Sequence, residues 1–123
     1  MTTKTILIID DDDGLRASLS MALQQKGYLI EEATNGIDGI LKSKERQYDL
    51  IISDISMPEL DGNDAIPQIK ESENNALTPI MVLSGSLDEP LYLSLKQYIA
   101  KAFLKPIDPF EVATSVQKFL EKK

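Results

Sequence analysis

Apolar residues fall along this chain in short unbroken runs, separated by stretches where they recur at helical spacing. Thr5 to Ile9 is the first run, β-branched and apolar, and it ends in Asp10-Asp11-Asp12-Asp13. Leu15, Leu19, Ala22 and Leu23 then repeat at helical intervals as far as Gly27, a residue suited to follow a helix end. Tyr28 to Ala33 is a second, weaker strand. Asn35-Gly36 is a turn signal, and Ile37, Ile40 and Leu41 mark a helix running toward Arg46. Leu50 to Asp54 is a third strand. Asn63 to Glu73 reads as a helix with Ile66 and Ile69 facing a core, although Pro67 is tolerated there only near the first turn. After a polar loop from Glu71 to Thr78, Pro79 to Leu83 forms a fourth strand that stops at Ser84-Gly85-Ser86. Leu91, Leu95 and Tyr98 indicate a helix from Glu89 to Tyr98. Ala102-Phe103-Leu104 is a short fifth strand stopped by Lys105-Pro106, and Asp108 to Leu120 is a closing amphipathic helix.

Five strands alternating with five helices predict an α/β fold with a parallel sheet covered on both faces. Near-continuous apolar strands fit a sheet buried on both sides. Right-handed crossovers put every strand's carboxyl end on one rim, and ligands bind at that rim. No repeat, linker or low-complexity stretch interrupts the 123 residues, which suit one domain spanning 1–123.

Composition narrows the chemistry. The formal net charge is −7, which argues against direct nucleic-acid binding and against an anionic membrane surface. There is no cysteine, hence no disulfide, thiolate nucleophile or zinc-thiolate site. There is no histidine, which removes the commonest general base and every Ser-His-Asp triad. No apolar stretch approaches the roughly 20 residues that span a bilayer, and Met1-Thr2-Thr3-Lys4 carries no signal-peptide core. The expectation is a cytoplasmic protein whose first strand lies close behind a natural N-terminus.

The strand ends supply the candidate site. Strand one delivers Asp10 and Asp11, strand three Asp54, strand four Ser84, and strand five Lys105. Carboxylates brought together raise one another's pKa, and a hard divalent cation relieves the repulsion. Mg²⁺ suits such oxygen ligands. A hydroxyl and an ammonium beside that metal suit a phosphoryl group, and an aspartate can itself be the nucleophile. Taken singly, each residue has a plainer explanation. Asp12 or Asp13 caps a helix, Asp54 starts a turn, Ser84 belongs to an ordinary loop, and most lysines are solvated. The specificity lies in all of them meeting on one rim.

The motifs Ile8-Ile9-Asp10-Asp11-Asp12, Ile52 to Pro58 with Asp61-Gly62, Val82-Leu83-Ser84-Gly85 and Lys105-Pro106 resemble those of the receiver domain of two-component response regulators. The single-domain chemotaxis regulators are its simplest members. This resemblance, over residues 4 to 121, implies a flavodoxin-like sheet of order 2-1-3-4-5. It implies that Asp54 accepts a phosphoryl group from a sensor histidine kinase or a histidine phosphotransfer protein and then alters affinity for an unknown output partner. It implies that Asp10, Asp11, Asp54 and the backbone carbonyl of Ser56 hold Mg²⁺, with Mn²⁺ able to substitute. Ser84 would bond a phosphoryl oxygen and Lys105 would pair with it, the Lys105-Pro106 peptide being cis. Catalysis would extend no further than the chain's own phosphorylation and slow dephosphorylation.

This chain departs from the family pattern in places. Gly85 replaces a common alanine, Ile99 a common glycine, and Pro67 is unusual in the third helix. The switch aromatic usually stands three residues before the lysine, where this chain has Ala102. Counting forward from Ser84 favours Phe103, and on that count Phe103 is taken as the switch residue. Lys101 and its neighbours lack the acidic pattern of receivers that dimerise through their last helix. Three rival readings are weighed. One is a haloacid-dehalogenase-like phosphatase with Asp11 as nucleophile, suggested by Asp11-Asp12-Asp13-Gly14. Another is a receiver-like domain that binds partners without phosphorylation. The third, an FMN-binding flavodoxin, is opposed by the acidic rim.

Overall fold

In the computed structural model of this chain the described residues are 3–55, 62–88 and 90–122, and of residues 62–64 only the backbone is described. The elements in order are β1 (Thr5–Ile9), α1 (Asp13–Gln24), β2 (Leu29–Ala33), α2 (Gly36–Glu45), β3 (Leu50–Asp54), α3 (Gly62–Glu71), β4 (Ile80–Ser84), α4 (Pro90–Leu95), β5 (Lys101–Leu104) and α5 (Pro109–Glu121). All strands are parallel, in the order β2-β1-β3-β4-β5. This is the flavodoxin-like order anticipated from the motifs.

Strand side chains alternate between the two faces of the sheet. Leu7, Ile9, Ile51, Ile80 and Val82 pack beneath α2, α3 and α4. Ile6, Ile8, Leu50, Ile52, Met81 and Leu83 pack beneath α1 and α5. The three central strands are buried throughout, and the edge strands β2 and β5 are partly exposed. Each fully buried isoleucine or leucine contributes about 2 kcal/mol. The sheet is therefore a firm base for whatever its rim carries.

The helices start where side chains satisfy their first N–H groups. Asp12 caps α1 by accepting from the N–H of Leu15 at 3.1 Å. Asn35 caps α2 through the N–H of Asp38 at 2.8 Å. Asp108 caps α5 through the N–H of Phe110, with Pro109 in the first position. At the other end of α1, Gly27 lies two residues beyond the cap Gln25 and has φ +94°, which an L side chain would resist.

Several boundaries differ from the sequence expectation. The second strand starts at Leu29, because Tyr28 belongs to the turn out of α1. Pro67 lies inside α3, beyond its first turn. A proline there withdraws the N–H owed to the carbonyl of residue 63, so the break falls near the start of the helix. The fourth helix is shorter than its apolar spacing suggests. It ends at Leu95 and tightens into a 3-10 turn, Lys96–Tyr98. Glu89, its expected first residue, lies outside the described residues.

Candidate functional site

Alternation along the strands decides what reaches the rim. Ile6 and Ile8 face α1 and α5, so Asp10 is next on that side. Leu50 and Ile52 are followed in the same way by Asp54, and Phe103 by Lys105. Three strands thus deliver two carboxylates and one ammonium to the same side of one rim. Asp11 joins them from the turn into α1. Carboxylate oxygens of Asp10, Asp11 and Asp54 lie within 4.8 Å of one another. Asp54 is 4 % exposed and Asp10 wholly buried, whereas Asp11 is open to solvent.

Lys105 Nζ donates to Asp54 Oδ2 at 2.9 Å. Burial works against its ammonium, but the hydrogen bond to Asp54 and the charges of Asp54, Asp10 and Asp11 outweigh it and hold the lysine above its ordinary pKa. The Lys105-Pro106 peptide is cis. The main-chain N–H of Lys105 donates to the carbonyl of Ser84 at 2.8 Å, which ties the ends of β4 and β5 together. Ser84 is buried at the end of β4. Its hydroxyl donates to the Ser86 carbonyl at 2.7 Å, and the Ser86 N–H approaches its oxygen at 3.2 Å.

Asp10 is held at nearly every polar atom. Its N–H donates to the Ala33 carbonyl at 3.1 Å, and its Oδ1 accepts from the N–H of Asp12 at 2.9 Å. Its Oδ2 is buried with no hydrogen-bond partner among the described residues. Burial pushes its pKa up to about 6; the Asp12 N–H opposes the rise, and the charges of Asp54 and Asp11 add to it against that of Lys105. A buried carboxylate oxygen without a donor is costly. Three carboxylates also exceed what one lysine can neutralise. The arrangement fits a hard divalent cation held by oxygen ligands.

The site therefore unites Asp10, Asp11, Asp54 and Lys105, with Ser84 at the adjoining strand end. Ser56, whose carbonyl is an expected metal ligand, lies outside the described residues. Phe103, the expected switch residue, lies on the α1–α5 face of the sheet. In the ladder Phe103 pairs with Leu83 and packs on the α1–α5 face, with Lys101 Nζ 5.6 Å from its ring centroid. Ser84 continues the alternation of Ile80 and Val82 on the opposite face, and Ala102, paired with Val82, shares that face.

The sequence reading passes over one residue of this rim. Arg16 is 11 % exposed in its side chain and donates to the Asp10 carbonyl, to Asp13 and to Glu32. Its signal is a cation one turn into a helix, where the helix dipole disfavours positive charge.

Residues 6–117 match the response regulator receiver domain, and the chain belongs to that family. It is 35 % identical over 117 residues to the chemotaxis protein CheY of Thermotoga maritima, covering 94 % of this chain and 96 % of CheY. It is also 35 % identical over 122 residues to the transcriptional regulatory protein ResD of Bacillus subtilis. That match covers 95 % of this chain but spans about half the length of ResD, 48 %. Among solved structures it resembles the response regulator protein TrrA of Thermotoga maritima in complex with Mg(2+)-BeF. The TM-score is 0.79 at 29 % identity, covering 94 % of this chain and 98 % of TrrA. This is a receiver domain of two-component systems, a class that works with histidine kinases or phosphotransfer proteins. Family membership does not favour the dehalogenase-type, flavodoxin or non-phosphorylated readings. Among the described residues no helix is long and apolar enough to cross a membrane.

Proposed function

We propose that Asp54 is the phosphoryl acceptor of this receiver, in a Mg²⁺-dependent reaction whose donor is a phosphohistidine on a sensor histidine kinase or a phosphotransfer protein. The observation that carries the reading is the pairing of a nearly buried Asp54 with Lys105 at 2.9 Å, inside a group of three carboxylates. An Asp54 oxygen attacks phosphorus, the P–N bond breaks, and the imidazole leaves with its electron pair and takes a proton from solvent. With no histidine in the chain, catalysis rests on positioning and on charge neutralisation. Asp10, Asp11, Asp54 and the Ser56 carbonyl would hold Mg²⁺, or Mn²⁺ in its place, which when bound would supply positive charge beside the transferring group. The Mg(2+)-BeF complex of TrrA supports that assignment by analogy.

Lys105 is poised to turn from Asp54 toward a phosphoryl oxygen. To bond the same group, Ser84 must give up the Ser86 carbonyl, and this transfers motion to the loop after β4. The surface of α4, β5 and α5 then changes its affinity for an output partner, with the chain in the cytoplasm beside its donor. The test is incubation with Mg²⁺ and acetyl phosphate, followed by intact mass measurement. Wild type should gain one acid-labile phosphoryl group and Asp54→Asn none. Uptake that survives Asp54→Asn, or depends on Asp11 alone, would overturn the assignment.

A further inference from the structure

We infer that Arg16 is a positioning residue for the cation site, setting the Asp10–Asp13 turn so that Asp10 and Asp11 face Asp54. This rests on the receiver reading of the site. Arg16 Nη1 donates to the Asp10 main-chain carbonyl at 2.6 Å and Nη2 to Asp13 Oδ1 at 2.6 Å, while Nε donates to Glu32 Oε1 at 2.8 Å. The three acceptors come from the end of β1, the start of α1 and the neighbouring strand β2. One planar guanidinium therefore fixes the direction in which the chain leaves the sheet, a task suited to the rigid fork of arginine and not to lysine.

What Arg16 avoids matters as much as what it holds. It takes the main-chain oxygen of Asp10 and no carboxylate oxygen of Asp10, Asp11 or Asp54 among its hydrogen bonds. The Asp10 N–H and Oδ1 are engaged elsewhere, by Ala33 and by Asp12. Together these contacts anchor Asp10 at its N–H, its carbonyl and one carboxylate oxygen, and leave Oδ2 uncommitted among the described residues of the buried site. Such outer contacts to metal ligands are worth tenfold or more in affinity.

The sign of the effect separates positioning from charge. Removing a cation beside three carboxylates should, by Coulomb attraction alone, strengthen Mg²⁺ binding. Loss of positioning should weaken it. The experiment is calorimetric titration of the full chain with Mg²⁺, for wild type, Arg16→Gln and Arg16→Lys. Backbone amide spectra of each variant without Mg²⁺ report on the fold. We expect both variants to lose about tenfold in Mg²⁺ affinity, with spectral changes confined to residues near 10–16 and 32. Should Arg16→Gln not fold, Arg16→Lys, which keeps the charge, decides alone. Unchanged or tighter binding in the folded variant overturns the inference. Failure of wild type to bind Mg²⁺ would instead sink the reading of the site itself.

Discussion

The two rims of the sheet bury polar groups in opposite ways. At the amino-terminal rim, Asn75 is fully buried yet fully used. Its Oδ1 accepts from the Tyr48 N–H at 2.9 Å and faces the Thr78 hydroxyl at 2.9 Å, and its Nδ2 donates to the carbonyls of Ser43 and Arg46 at 2.6 and 2.9 Å. That is the whole capacity of a carboxamide. At the carboxyl rim, Asp10 is equally buried and one of its oxygens has no partner among the described residues. A satisfied buried network specifies structure. An unsatisfied buried charge is instead a cost held in reserve for a ligand. The same sheet carries both, and the difference tells which end does chemistry.

The comparison is broken most forcefully at Asn75. Asn75→Ala strands the Tyr48 N–H and the Ser43 carbonyl in the interior and takes a donor from the partly buried Arg46 carbonyl, at a cost of about 3 kcal/mol. Urea unfolding should show the midpoint falling at unchanged slope, while Mg²⁺ affinity of the folded protein stays within about twofold. A large loss of Mg²⁺ affinity in the folded variant would mean that the two rims are not separate in function.

At the other rim the effect should have the opposite sign. The Asp10 pKa is pushed up to about 6 from 3.8. Between those values the folded protein keeps a proton that the unfolded chain has released. Proton uptake is then greater in the folded state, and stability falls as pH rises. Asp10→Asn keeps an acceptor for the Asp12 N–H and removes the charge. Without Mg²⁺, its advantage over wild type should be near zero below pH 4 and should grow through pH 6. Above pH 7 it levels off at about 3 kcal/mol. Excess Mg²⁺ should erase the advantage, because it stabilises only the protein that binds it. Thermal unfolding of both proteins across pH, with and without Mg²⁺, reads this directly. A destabilised Asp10→Asn in Mg²⁺-free buffer at pH 7 would show that Asp10 is structural after all.

Asp10, Asp54, Ser84 and Lys105 were legible in the sequence because each ends a short apolar run, and a parallel sheet gathers such ends on one rim. The Asn75 network was not. It lies in what reads as a polar loop from Glu71 to Thr78, and burial of a polar residue leaves no periodic trace. Arg16 was hidden for a similar reason, since its acceptors come from three separate elements. For the switch position the sequence offers two counts, one to Ala102 and one to Phe103. Counting residues between Ser84 and Lys105 fixes distance along the chain but not which face is reached. Phe103 stands two residues before Lys105 and so shares the side of Lys105. Ala102 has the other parity, which is that of Ser84. Alternation outranks spacing when a residue is assigned to a face.

The smallest effect tests how firmly the catalytic rim is seated. Helix α2 approaches β1 so closely at Gly39 that an added Cβ would lie 2.5 Å from Ile9 Cδ1 and 3.0 Å from its Cγ1. Ile9 directly precedes Asp10. Gly39→Ala gains about 1 kcal/mol of helix propensity and loses about 2 kcal/mol to overpacking, for a net loss of about 1 kcal/mol. Ile9→Val removes the atom that clashes most, so the double variant should be more stable than the sum of the two single effects. Because the displaced side chain is joined to Asp10, Gly39→Ala should also weaken Mg²⁺ binding by a few fold, and Ile9→Val should restore it. If Gly39→Ala costs stability but leaves Mg²⁺ affinity at the wild-type value, Asp10 is insulated from the sheet beneath it. The hydrogen bonds to Ala33, Asp12 and Arg16 then hold the site by themselves.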